Sequence, residues 1–211
     1  MARKNYNKQI FRVAVGVALL AIAAVGLEYG SLLSEMKNAD QDFNHGDNAA
    51  ALKRYEDVEQ RLRGFGAIRL IPSEDRRNLF LDEARVLYSM GRYDDALERL
   101  NLENQISGTT TDGRFFLLRG EITFRKAIAA SRAPGGDDDP HALAEAISPA
   151  EEDLRESLRA DPNNWDAKYN LEYVNYIRLT LEKDREEGMK VLPQIPNQDT
   201  SQQNLTPKQK M

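Results

Sequence analysis

A chain of 211 residues can hold one ordinary domain plus appendages. It has no cysteine, and its two histidines, His45 and His141, stand far apart in polar surroundings, so disulfides and thiolate metal sites are excluded and a Ser/His hydrolase has little to build on. The net charge of −5 speaks against general nucleic-acid binding, which needs a basic footprint.

The charge is segregated. Ahead of Leu33 stand four basic residues (Arg3, Lys4, Lys8, Arg12) and one acid, Glu28, while the remainder has 25 basic and 33 acidic residues. Val13 to Leu27 are all apolar or glycine, and starting at Ile10 gives 18 positions interrupted only by Arg12. About 20 apolar residues cross a bilayer core, and Arg12 lies near one end, where its stem can snorkel to the headgroups. The basic start predicts a cytoplasmic amino terminus and a body across the inner membrane, in the periplasm of a single-pass protein. A cleaved signal peptide is the competing reading, because Ala21-Ile22-Ala23 permits cleavage. The uncleaved anchor is favoured, since helix-compatible sequence continues unbroken through Leu32, Leu33 and Met36.

From Leu32 to about Leu181 the periodicity is helical, and no run alternates as a strand would. Ala39, Gly46, Ala51 and Tyr55 are spaced by seven, five and four residues, and Ala84, Gly91, Ala96 and Leu100 repeat those spacings 45 residues later. Each set predicts a hairpin. The alanines let two helices approach closely, and the glycine ends the first helix in a left-handed conformation. A third first helix is expected over 115–130, with Phe116, Gly120 and Phe124 on one face, and its second helix over 148–160. Asp161-Pro162 breaks that helix, Asn163 or Asn164 caps the next, and a final helix runs from Trp165 to about Glu186 without a partner. Trp165 and the tyrosines after it are expected to cap the open end.

Gly91-Arg92-Tyr93-Asp94-Asp95-Ala96-Leu97, with Ala84 before it, and the Ala150/Pro162 exit resemble the tetratricopeptide repeat family. The offset of 45 residues departs from that family's period of about 34, because Gly64-Phe65-Gly66 and Pro72 lengthen one connection. The resemblance implies an all-α fold. A basic segment and anchor over 1–33 are followed by an irregular helical-hairpin array with a capping helix over 34–187. Pro193, Pro196 and Pro207 in a Gln- and Asn-rich stretch predict a disordered tail over 188–211. Residues 161–172 further resemble a terminal repeat of small single-span proteins encoded beside MoxR-type ATPases and von Willebrand factor A proteins. One branch is the accessory protein of methanol-oxidation clusters, linked to maturation of a periplasmic methanol dehydrogenase. That resemblance implies protein partners of those types, or a periplasmic enzyme.

The sequence's clusters of chemically capable residues read as solvated or capping positions. Asp137-Asp138-Asp139 lacks the alternating ligands of a calcium loop and reads as a solvated acidic loop within 133–140. Glu151 and Glu152 are expected in the first turn of a helix, where they favour its dipole. His45 is placed at a helix end and His141 at a helix start, and Gly135-Gly136 has no Lys-Ser/Thr to complete a phosphate loop. The acids are spread over exposed helical positions, so neither an enzyme nor a cofactor is expected. What remains is a surface. Tyr169, Tyr173 and Tyr176 share one helix face, either packed on the preceding hairpin or lining a concave side that binds a peptide. By the family register, Arg85, Tyr88, Arg114 and Arg125 project to that same side, although a solvated face explains the arginines equally well. The functional expectation is an interaction scaffold or accessory factor for assembly of an envelope complex, with a division or secretion scaffold as the alternative.

Overall fold

The computed structural model describes residues 2–64, 66–108, 111–136 and 139–187, and every regular element among them is helical. The helices are α1 (Ala2–Asn44), α2 (Asn48–Gly64), α3 (Ser73–Ser89), α4 (Tyr93–Ser107), α5 (Gly113–Arg132), α6 (Pro140–Ala160) and α7 (Trp165–Glu187). The expected tail over 188–211, and Asp137 and Asp138 of the aspartate run, lie outside the described residues.

Helix α1 has 43 residues without a break. Within Phe11–Asn44 its apolar part has a mean hydropathy of 2.0 and is unburied, so it is long and apolar enough to cross a membrane. The same helix then becomes the first member of a hairpin, since Leu32 and Ala39 are buried against the body. No linker separates the two roles.

The hairpins α1/α2 and α3/α4 turn at Gly46 and Gly91, whose φ angles are +84° and +73°. At the second turn the Gly91 amide donates to the Tyr88 carbonyl (3.0 Å) and the Arg92 amide to Leu87 (2.9 Å), which closes α3. Ala39, Ala51, Ala84 and Ala96 have no exposed surface, as their spacing predicts. Each sits where two helices approach.

The third hairpin is held by a close approach of its two helices. A Cβ on Gly120 of α5 would lie 3.0 Å from the Leu154 side chain and 3.2 Å from the Ala150 carbonyl of α6. Arg119 stacks on the rings of Phe115 (5.1 Å) and Phe116 (5.3 Å) and donates from Nε to Asp153 at 2.9 Å. Phe115, expected only to begin the helix, is the fully buried ring, and Phe116 is half-buried.

Helix α6 begins at Pro140, not at Ser148, and runs through Pro149. An internal proline costs about 3 kcal/mol. The helix nevertheless continues because Leu143 and Ile147 are buried on the same face as Ala150 and Leu154, and burying each large aliphatic contributes about 1.5–3 kcal/mol. The longer helix also moves Glu151 away from any first turn. It is a buried carboxylate that pairs with Arg155 of its own helix and Arg178 of α7 (3.3 Å).

At the corner before α7, Asn164 Oδ1 accepts the Ala167 amide at 2.9 Å and Asp161 Oδ1 accepts the Asn163 amide at 3.0 Å. These bonds satisfy donors that the helix start leaves free. His45 and His141 lie just past the end of α1 and at the start of α6, as expected.

The first helices touch in series, α1 with α3, α3 with α5 and α5 with α7, whereas α2, α4 and α6 pack chiefly against their sequence neighbours. Helices that are closer on one side of an array curve it toward that side. The concave surface is therefore made by α1, α3, α5 and α7. The core has two parts, one from α1 into α5 and one from Phe124 of α5 through α6 and α7.

Candidate partner-binding surface

The surface builds up from one cleft. Where α3, α5 and α7 meet, Tyr88, Gly120, Glu121, Phe124, Arg125 and Tyr173 line a recess with about 330 Å³ of empty space, its open mouth included. Gly120 makes it possible by letting α5 sink onto α6, which leaves the next residue, Glu121, on the concave side. Asn170 of α7 donates to Glu121 Oε1 at 2.6 Å. Burial pushes the Glu121 carboxyl up to about 7, while that hydrogen bond and the nearby arginines pull the other way. Burial likewise raises the Tyr88 phenol to about 12, with Arg125 opposing it. Tyr173 packs edge-on against Phe124, ring centres 5.8 Å apart.

Along the groove toward α1 the chemistry stays mixed. Burial holds the Asp82 carboxyl up at about 6, against the pull of Arg85, which pairs with it at 3.2 Å. The buried Tyr55 hydroxyl donates to Asp40 Oδ1 at 2.5 Å, and burial is the main cause of its raised pKa. Carboxylates from α1, α3 and α5 thus face a common surface with Arg85 and Arg125 between them. Among the described residues no three acidic or histidine side chains gather as a metal site.

Tyr88, Arg125 and Tyr173 meet in the cleft, and Arg85 stands beside it. Arg114 does not join them. Sited at the start of α5, it is held by Asp112 (2.7 Å), Glu74 (2.8 Å) and Asn78 (3.1 Å), a pin between α3 and α5 at the array's edge. Tyr169 and Tyr176 are neither in the cleft nor packed on the preceding hairpin. They are 59% and 63% exposed. With Trp165 at 79% and Leu179 at 53%, they form a stripe at helical spacing along the uncovered side of α7. Trp165 therefore does not cap the end by burial; Lys168 stands over its ring at 4.9 Å. Glu121 and Asn170 were not singled out from the sequence. The one local signal was that Glu121 follows a small residue and precedes Arg125 by four.

This geometry defines an all-helical chain of hairpins, with one amino-terminal helix long and apolar enough to span a membrane and an aromatic stripe beside a polar cleft. No family model, no curated protein and no solved structure matches it.

Proposed function

We propose that the protein is a single-pass, membrane-anchored scaffold whose helical-hairpin body binds another protein in the periplasm, as an accessory factor in assembly or maturation of an envelope complex. The observation that carries this reading is the stripe Trp165, Tyr169, Tyr176 and Leu179 on the last helix. In a stacked array the outer face of a terminal helix is ordinarily polar, because nothing covers it. Here it presents three aromatic side chains and a leucine over about 21 Å of helix. Such residues dominate binding energy at protein interfaces. The cleft beside the stripe adds a carboxyl, an arginine and an amide that can select a partner's polar groups. Its small volume suits side chains of a protein better than a sizeable small-molecule substrate.

The basic amino terminus supports an N-in orientation and a periplasmic body. The resemblance to tetratricopeptide proteins encoded with MoxR-type ATPases narrows the reading to maturation of a periplasmic enzyme, such as a methanol dehydrogenase. A MoxR-type or von Willebrand factor A gene beside this one is the expected finding, and its absence sinks that narrower version. The broad reading is tested by purifying the full tagged chain from its native membranes in mild detergent. A stoichiometric partner should be recovered with the wild type and with Arg159→Ala on the outer face of α6, and lost with Tyr169→Ala/Tyr176→Ala. Equal recovery by all three, or none by any, overturns the proposal.

A further inference from the structure

Among the described residues, the large hydrophobic residue most exposed in the body is not on α7. It is Leu70, 83% exposed, in the connection between α2 and α3. That connection holds a short 3-10 turn, Ala67–Arg69. Its Ile68 is buried, and Ala67 and Ile71 lean on the core, so the loop has a fixed seat from which Leu70 projects. Beside it, Arg69 is exposed and makes no ion pair among the described residues.

The position of the loop gives these two side chains a meaning. Helix α1 leaves its apolar stretch at Leu27, and α2 runs back antiparallel to it. Arg61 of α2 pairs with Glu28, and the Tyr29 hydroxyl donates to Asp75 in the first turn of α3. The two residues flanking the loop are thus clamped to the first two residues after the apolar stretch. Gly64 lies three residues beyond Arg61, about 4.5 Å further along the helix toward the apolar end of α1. The loop therefore sits level with the end of the apolar run. That run of 18 residues is about 27 Å long as a helix, slightly short of a hydrocarbon core of about 30 Å. A bilayer that thins to match this span brings its headgroups to the level of Glu28. No gap is left between that surface and the loop.

We infer that the Gly66–Pro72 loop is a second membrane contact. Leu70 inserts at the bilayer interface, and Arg69 meets anionic headgroups. The inference rests on the reading of α1 as a membrane span. It has a structural consequence. A single helix leaves a body free to rotate and tilt about one axis, whereas a second contact sets the direction in which the concave face of α1, α3, α5 and α7 opens above the membrane.

The absence of native cysteine makes the test direct. Leu70→Cys, Leu19→Cys and His45→Cys are each labelled with an environment-sensitive fluorophore on the full chain. The chains are reconstituted in vesicles of zwitterionic and anionic phospholipid containing nitroxide lipids of defined depth. Leu19 reports the span itself, and His45 marks the far turn, about 24 Å along α1 from Glu28. The expected result is a blue-shifted Leu70 emission, quenched by shallow nitroxides and shifted less when anionic lipid is omitted, with His45 unquenched and Leu19 quenched by deep nitroxides. A Leu70 label that behaves like His45 while Leu19 is quenched overturns the loop contact alone. A Leu70 label that is blue-shifted but unquenched also overturns it, in favour of burial against protein, in this chain or a second copy. An unquenched Leu19 overturns the span and the loop contact with it.

Discussion

Replacing Glu83 by Gln should make this protein's stability less sensitive to rising pH. Glu83 lies on α3 with no exposed surface, and neither carboxylate oxygen has a hydrogen-bond partner. The nearest cation, Arg99 Nε at 3.8 Å, is shared with the buried Glu59, which Arg99 holds at 2.8 Å. Burial, helped by the Glu59 charge, lifts the Glu83 carboxyl from an ordinary 4.5 to about 8, against the pull of Arg99. Between those values the folded chain holds a proton that the unfolded chain has released. The stabilisation is therefore full below about 4.5 and is lost as pH rises through about 8. The gap corresponds to at most roughly 5 kcal/mol, and relaxation around Arg99 should reduce the realised loss to about 3 kcal/mol. For a chain of this size that is roughly 10 °C in Tm. The assay is thermal unfolding of the full chain in mild detergent, followed by far-ultraviolet circular dichroism across the pH range. Near pH ~4 Glu83→Gln and the wild type should melt together, because there both side chains are largely neutral folded and unfolded, and near pH ~9 the variant should melt roughly 10 °C higher. Asp82 and Glu121 titrate in both proteins and cancel in the difference. Parallel pH profiles, or a variant that melts lower throughout, would refute the reasoning.

Two further substitutions test the packing. Gly120→Ala should destabilise the body: the added methyl gains up to about 1 kcal/mol of helix propensity but meets Leu154 and the Ala150 carbonyl at 3.0 Å and 3.2 Å, an overpacking cost of about 1–3 kcal/mol. A Tm drop in the same melting assay is expected, and an increase would show that α5 and α6 can separate freely. Asn164→Ala removes the cap at the start of α7 and should cost about 1 kcal/mol, read as faster hydrogen exchange at the Ala167 amide, with exchange in α1 and α2 unchanged.

Much of the fold was legible because its signals are local. Gly46 and Gly91 end helices by their own backbone freedom, and the small residues at fixed distances from them mark helix contacts that the array repeats. The start of α6 was not legible at 148, because the helix runs through Pro149 back to Pro140. A proline reads locally as a stop, but the burial of Leu143 and Ile147 on the far side of it comes from α5 and α7, which no local pattern contains. Glu83 and Glu59 were hidden by the same kind of non-local fact. Helix α3 is covered on nearly every side by α1, α2, α4 and α5, so an acid that reads as a solvated position is enclosed. The candidate surface was half legible. Spacing alone shows that Tyr169 and Tyr176 share a side of α7, but only the end of the array reveals that nothing among the described residues covers it. Arg114, expected on the same side as Arg85 and Tyr88, is taken up instead by Asp112 and Glu74 at the start of α5. The convergence of Tyr88, Arg125 and Tyr173 on Glu121 depends on how α3, α5 and α7 stack, and no spacing within one helix encodes that.

The claim that the uncovered side of α7 is a protein-binding face is tested most directly by photo-crosslinking in native membranes. A photoreactive amino acid replaces Tyr169 in one full-length variant and Arg159, on the outer face of α6, in another. The expected result is a discrete crosslink from position 169 to a different protein and none from position 159. A crosslink from 169 only to lipid, to a second copy or within the same chain would contradict the account.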